Sequence, residues 1–324
     1  MTELYLITGS AGFIGYHVAR RLLLQGARVI GVDCLSDYYS VDLKKSRNAE
    51  LLSFPSYQFI QKDLNEPGFL ETLLAKEAYT AVLHFAAQPG VRLSMQKPEL
   101  YIKNNIEATQ RLLEAIRKQT NPSSLYIASS SSVYGNQKKT PFLEEVNTDH
   151  PISFYGVTKK SIEVMASTYS HLYGIKTCSM RFFTVYGPWG RPDMAPFQFT
   201  ERVMRGEKII LFNQGEMLRD FTYIDDVVES ILRLHAVRSK NPVPLNDVYN
   251  IGCSHPRSLR DFVQAIEKAT GKKAQIELAA IQEGDAIQTY ADVSKLRKET
   301  GYSPQTQLEE GMQKFVEWYR QWKK

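Results

Sequence analysis

The chain has 324 residues, of which 43% are hydrophobic and 23% charged, and a formal net charge of +5. That length allows one large domain or two lobes, and the composition excludes a disordered chain, a collagen-like rod and a repeat solenoid. No stretch approaches the ~20 apolar residues that cross a bilayer, and Glu3 stands where a leader would be basic, so the expected compartment is the cytoplasm. Cys34, Cys178 and Cys253 lie far apart without a C-x-x-C pair, and His17, His84, His150, His171, His235 and His255 have no metal-ligand spacing. Neither a disulfide framework nor a metal site is expected. The basic residues are dispersed, in doublets such as Lys44–Lys45, which suits a small anionic substrate better than nucleic acid.

In chain order, the apolar run Leu4–Thr8 predicts a strand, Gly9 a turn, and the Ile14, Val18, Leu22 face a helix over Phe13–Gln25. Strands follow at Arg28–Asp33, Tyr57–Gln61, Ala81–His84, Ser124–Ala128 and Lys176–Arg181. Helices alternate with them at Val41–Leu52, Glu66–Lys76, about 98–118 and Phe154–Tyr173. This alternation predicts an α/β fold, a doubly wound parallel sheet with right-handed crossovers. The Gly/Pro-rich stretch Tyr186–Pro196 breaks the rhythm and opens a smaller mixed α/β C-terminal lobe for substrate. The expected division is 1–181, plus about 222–252, for the first domain and about 182–221 with 253–324 for the second. Ser258–Gly271 and Leu308–Trp322 read as amphipathic helices of the latter.

Gly9-Ser-Ala-Gly12-Phe13-Ile14-Gly15 sits between the first strand and first helix, where glycines let backbone approach a pyrophosphate at a helix N-terminus. Asp33 ends the second strand, placed to accept hydrogen bonds from an adenosine ribose and to repel a 2′-phosphate, so NAD is expected over NADP. A turn that merely packs helix on sheet is the alternative. Asp63–Leu64 and Phe85-Ala86-Ala87 follow the third and fourth strands at the ligand-binding edge, where they line an adenosine site or serve as ordinary loop packing.

A helical Tyr-x-x-x-Lys places an ammonium near a phenol and favours the phenolate, a usable base. The pattern occurs at Tyr134/Lys138, Tyr155/Lys159 and Tyr319/Lys323. Only Tyr155 follows the fifth strand and its Ser129–Ser132 run at the start of a helix, so Tyr155, Lys159 and a serine are expected to meet over a nicotinamide.

On these residues the chain resembles the extended short-chain dehydrogenase/reductase superfamily, in its NAD-dependent epimerase/dehydratase family of nucleotide-sugar enzymes. The resemblance implies a Ser130–Tyr155–Lys159 triad supported by Asn105. Dehydratases of that family carry Asp then Glu at the positions of Ser131 and Ser132, and decarboxylases keep a Glu at the second, which argues against both chemistries here. Arg181-Phe-Phe-Thr-Val-Tyr-Gly-Pro-Trp-Gly-Arg-Pro-Asp-Met194 and Arg219-Asp-Phe-Thr-Tyr-Ile-Asp-Asp226 are similar to strings of the UDP-glucuronate 4-epimerase branch. That likeness implies NAD-dependent isomerisation of a UDP-hexuronic acid at C4. A UDP-glucose/N-acetylglucosamine 4-epimerase, a UDP-glucuronate decarboxylase and a non-catalytic NAD-binding scaffold are the alternatives. It further implies that Ser131, Ser132 and Thr184 hold the substrate carboxylate. Arg191 and Arg219 would clamp the phosphates and nucleotide, Phe212 would face uracil, and Asp285 would meet the uridine ribose. Arg92 is a sugar contact or a solvated surface arginine. Gln282 departs from the Arg of galactose-type enzymes, and a homodimer through the helices near 98–118 and 154–173 is implied.

Overall fold

The computed structural model describes residues 2–241, 243–280 and 286–323. Contacts divide the chain into two units, Met1–Gly135 with Asn147–Arg181 and Lys240–Tyr249, and Asn136–Val146 with Phe182–Ser239 and Asn250–Lys324. Of the stretch from about 222 to 252, residues 240–249 fall in the first unit and the rest in the second.

The first unit is built on β1 (Leu4–Thr8), β2 (Arg28–Asp33), β3 (Tyr57–Gln61), β4 (Ala81–His84), β5 (Ser124–Ser130), β6 (Thr177–Phe182) and β10 (Asn246–Ile251), in the order β10-β6-β5-β4-β1-β2-β3. β1 pairs in parallel with β2 and β4, and its five residues are all buried, as expected of a strand covered on both faces. On one face Leu4, Leu6, Val82, Leu125 and Ile127 pack with α3 (Phe69–Lys76), α6 (Ala108–Arg117) and α7 (Phe154–Tyr173) through Leu73, Leu112, Ile116, Ile162 and Ala166. α1 (Phe13–Leu24), which buries Val18 and Leu22, lies against β1 and β2. The strand order reverses at β1, with β2 and β3 to one side and β4, β5 and β6 to the other. The crevice at the carboxyl ends of β1 and β4 is therefore where such a sheet receives a ligand.

Three elements differ from expectation by more than one residue, each for a local reason. The helix expected from Glu66 begins at Phe69, because Gly68 takes φ +73° ahead of it. The helix expected over about 98–118 is interrupted into α5 (Pro98–Tyr101), a π-helical turn (Ile102–Glu107) and α6, preceded by α4 (Val91–Gln96). Lys97, held out of the helical region by the following proline, separates α4 from α5 at φ −135°. β5 runs to Ser130, which stays extended and caps the short helical turn Ser131–Tyr134.

The second unit holds β7 (Thr184–Tyr186), β9 (Leu218–Tyr223) and β11 (Pro256–Ser258) in one small sheet, with β9 parallel to β7 and antiparallel to β11. β8 (Lys208–Phe212) pairs with β12 (Gln275–Ala279), and α8 (Ala195–Arg205), α9 (Ile224–Lys240), α10 (Leu259–Thr270), α11 (Ser294–Thr300) and α12 (Leu308–Trp322) complete the mixed α/β unit. Asp220 is its polar anchor. Fully buried, it accepts from the Thr222 hydroxyl and from the amides of Cys253, Ser254 and Ala291 at 2.7–3.1 Å. Among the described residues no helix is long and apolar enough to cross a membrane.

Candidate active site

Gly9 ends β1 at φ +72°, and its Cα is pressed so close to the next loop that a Cβ would lie 2.7 Å from the Ala86 nitrogen. The loop leads into α1, whose N-cap is Gly12, with no side-chain cap and no acid in the first turn. Gly12, Phe13, Ile14 and Gly15 thus present a helix start built for an anion. Asp33 accepts the Leu35 amide on Oδ1 (2.8 Å) and the Ala11 amide on Oδ2 (3.1 Å), so the carboxylate is fixed beside the same loop. Burial pushes the Asp33 carboxyl above its ordinary range, opposed by those amides and by the Lys44 and Arg47 cations. These features fit a dinucleotide, with pyrophosphate on the helix start and a ribose diol on Asp33. Asp63 follows β3 and accepts the Asn65 amide at 2.9 Å, and Leu64 is buried.

The Phe85-Ala86-Ala87 loop is held at both ends. Phe85 donates its amide to the Thr8 carbonyl (3.0 Å), and the buried Asn105 of the π-helical turn accepts the Gln88 amide (2.7 Å) and donates back to the Gln88 carbonyl (3.2 Å). His84 joins the two supports. The Thr109 hydroxyl donates to the Asn105 carbonyl, so its oxygen accepts from His84 Nε2–H at 3.0 Å. Thr8 accepts the Ala86 amide and gives its own proton to Nδ1 at 2.7 Å, so every donor and acceptor is matched only with a neutral ring. Burial, and then the Lys159 charge, lower the His84 pKa from 6.5 to about 3. Between those values the unfolded chain holds the extra proton, so stability falls as pH drops from about 6.5 towards 3. A His84→Gln protein should show a flatter dependence in urea unfolding across that window, with no difference in slope above pH 7.

Tyr155 and Lys159 stand one turn apart on α7, with Lys159 Nζ 5.8 Å from the centre of the Tyr155 ring. The lysine is buried and donates to the Ala128 carbonyl of β5 at 2.7 Å, which fixes its ammonium on the sheet side of the helix. Ser130, at the end of that strand, accepts the Ser132 amide and donates to the Ser132 hydroxyl, both at 3.1 Å. Ser131 and Ser132 are half-buried in the turn that follows. The turn approaches α7 through Gly156, where an added Cβ would lie 2.6 Å from the Ser132 carbonyl oxygen and 3.0 Å from Pro151 Cβ. Gly156→Ala is therefore expected to destabilise the protein by about 1–3 kcal/mol, read as a lowered denaturant midpoint at unchanged slope.

Behind the serine run, the buried Arg181 makes two 2.9 Å bonds to Glu163 of α7 and a third to the Tyr134 hydroxyl. Glu163 also accepts from Ser129. Tyr134 is thus a buried structural partner, whereas Tyr155 stands at the end of β5. Arg92 lies exposed on α4.

In the second unit Thr184 begins β7 half-buried, opposite Phe221 of β9, and Phe212 ends β8. Arg191 holds Asp193 with two bonds of 3.1 and 2.5 Å, so an anion binding there must share or displace that carboxylate. Arg219 donates to the Leu218 carbonyl (2.9 Å) and the Ala286 carbonyl (2.7 Å). Asp285 and Gln282 lie outside the described residues.

Sequence reasoning missed Lys44, Arg47 and Glu163. Lys44 and Arg47 are only 5% and 0% exposed, although α2 (Val41–Leu52) reads as a polar helix. Arg47 donates to the Ala11 carbonyl inside the glycine loop (2.9 Å) and to the Tyr39 hydroxyl, and Lys44 to the Ser36 carbonyl. Their signal was the spacing of three, which turns both toward the same side as Leu43 and Leu51.

Residues 6–315 match the protein-family profile described as GDP-mannose 4,6 dehydratase. The chain is 42% identical over 331 residues to a probable UDP-glucuronate 4-epimerase of Rhizobium meliloti (strain 1021), covering 98% of this chain and 97% of that protein. It is also 42% identical to UDP-glucuronate 4-epimerase 4 of Arabidopsis thaliana, over 97% of this chain and 74% of that one. A crystal structure of UDP-glucuronic acid 4-epimerase from Bacillus cereus, in complex with UDP-glucuronic acid and NAD, superposes with a TM-score of 0.91 at 34% identity over 98% of this chain and 99% of that one. The chain belongs to the NAD-dependent epimerase/dehydratase family of the extended short-chain dehydrogenase/reductase superfamily.

Proposed function

We propose that the chain is an isomerase that epimerises UDP-glucuronate at C4 to UDP-galacturonate through a transient 4-keto sugar. The observation that carries this reading is Tyr155 beside Lys159 at the end of β5, next to a turn with Ser131 and Ser132 where an eliminating enzyme needs an acid and a base. The relatives and the B. cereus complex support the substrate.

NAD, for which the glycine loop and Asp33 are fitted, supplies a hydride acceptor that returns what it takes, so no net redox change results. Tyr155, as phenolate, takes the proton of the sugar 4-hydroxyl, directly or through Ser130, and gives it back after the 4-keto sugar has presented its other face. Lys159, fixed to Ala128, keeps a positive charge against the phenolate. The 4-keto sugar is a β-keto acid, which loses carbon dioxide when its carboxylate stands perpendicular to the ketone. We assign the restraint of that carboxylate to Ser131, Ser132 and Thr184. Arg191, Arg219, Phe212 and Asp285 are the proposed nucleotide contacts and Arg92 a further sugar contact.

A homodimer through α6 and α7 belongs to the same proposal, supported by Val164, Leu172 and Tyr173 of α7, which are 51%, 59% and 44% exposed. The wide spacing and odd number of Cys34, Cys178 and Cys253 support a reducing compartment, the cytoplasm.

Incubation of the purified protein with UDP-glucuronate, with and without added NAD, is expected to yield an isomer of unchanged mass. UDP-xylose or a 4-keto pentose with carbon dioxide would replace this reading with a decarboxylase.

A further inference from the structure

Tyr155 is the second residue of α7, so its amide is one of the first-turn donors that no carbonyl of the helix can accept. Ser153 Oγ caps the Gly156 amide (3.1 Å) but leaves that of Tyr155 to another element. The acceptor is the hydroxyl of Ser94, a fully buried residue of α4, at 3.0 Å, and this hydroxyl gives its own proton to the Val91 carbonyl at 2.5 Å. The Ser94 oxygen is therefore oriented as an acceptor by its own helix.

Two other ties converge on the same tyrosine. Its carbonyl accepts from Thr158 Oγ1 (2.9 Å), which in turn accepts from Asn105 Nδ2 (3.0 Å). Its ring meets the edge of Tyr101 at a centroid separation of 6.2 Å, and the Tyr101 hydroxyl is fixed by the Gly90 carbonyl at 2.6 Å. The segment 88–105 thus brackets Tyr155 on its amide, its carbonyl and its ring, and Ser94 is the only one of these ties that is a direct side-chain bond from α4 to the tyrosine's own backbone.

We infer that Ser94 is a positioning residue for Tyr155: its hydroxyl sets the start of α7 so that the phenol stands over Lys159. The inference rests on Tyr155 being the proton-transferring group. Loss of the Ser94 oxygen removes the acceptor that the Tyr155 amide meets in a part-buried bond, and the first turn of α7 relaxes in response. The tyrosine then moves away from the ammonium that favours its charged form, and small displacements of a reacting group cost large factors in rate.

The test uses the full chain labelled with 13C at tyrosine Cζ, in which Tyr155→Phe identifies the Tyr155 resonance. Ser94→Ala is expected to move the Tyr155 titration midpoint to higher pH by half a unit or more. Turnover of UDP-glucuronate should fall at least ten-fold at a KM within two-fold of wild type. Ser94→Thr, which restores a hydroxyl, should recover most of the rate. If Ser94→Ala does not fold, Ser94→Cys, of similar size but with a weak sulfur acceptor, is read by the same titration. A midpoint and kcat equal to wild type in the folded variant would overturn the inference. A wild-type protein inert toward UDP-glucuronate would instead refute the proposed function, while the titration would still decide the role of Ser94.

Discussion

Tyr155→Phe is expected to lower kcat by about 10²–10⁴-fold, the range lost when a positioned acid–base group is removed. The substitution deletes one oxygen and keeps the ring, so the edge contact with Tyr101 and the backbone ties to Ser94 and Thr158 all persist. Lys159 retains its bond to the Ala128 carbonyl, which lies on β5 and not on the tyrosine. Folding and nucleotide binding should therefore be near wild type. The loss should appear in kcat, with KM little changed, because the phenol acts on the reacting hydroxyl and not on the bulk of the substrate. Steady-state kinetics of the two proteins, with thermal unfolding as a control, check this. A variant within ten-fold of wild type would remove Tyr155 from the chemistry.

Arg181→Leu is expected to have the largest effect on stability, about 3–5 kcal/mol, because it leaves the Glu163 carboxylate charged and buried without its partner. Glu163 and Arg181 side chains are 5% and 4% exposed, so water cannot replace the guanidinium. Burial alone would lower the Arg181 pKa, but the Glu163 carboxylate overrides it and holds the guanidinium charged at every accessible pH. The same Glu163 holds Ser129, the neighbour of Ser130, so the serine run shifts with it. Replacing both partners, as in Arg181→Leu with Glu163→Gln, removes the unpaired charge and should recover part of the loss. Denaturant unfolding of single and double variants reads this coupling. Equal stability of wild type and Arg181→Leu would show that the pair contributes nothing.

Much of the sheet was legible because buried parallel strands such as Leu4–Thr8 and Ala81–His84 announce themselves as apolar runs, and glycines mark where they end. The Tyr155/Lys159 pair was legible by elimination among three Tyr-x-x-x-Lys pairs, since only Tyr155 opens the helix after the fifth strand, whereas Ser130 as their partner came from the family resemblance alone. What sequence could not give was the bracket around it. A period of 3.6 predicts one long helix over 98–118, and nothing in the pattern reveals the π-helical turn that brings Asn105 to Gln88 and Thr158. Buried charges were fainter: Lys44 and Arg47 show only their spacing on the Leu51 side of a polar helix, and Glu163 looks like a solvated residue until the structure supplies Arg181 as its partner. Ser94 carries no sequence signal at all, because its role depends on a neighbour 61 positions away.

Proton NMR of UDP-glucuronate turnover in deuterated water tests the central claim most directly. Inversion through a 4-keto sugar predicts UDP-galacturonate in which H4 is fully retained, with no deuterium at C4 or C5 and no carbon dioxide released. Loss of the H4 signal to solvent, or a pentose product, would contradict it.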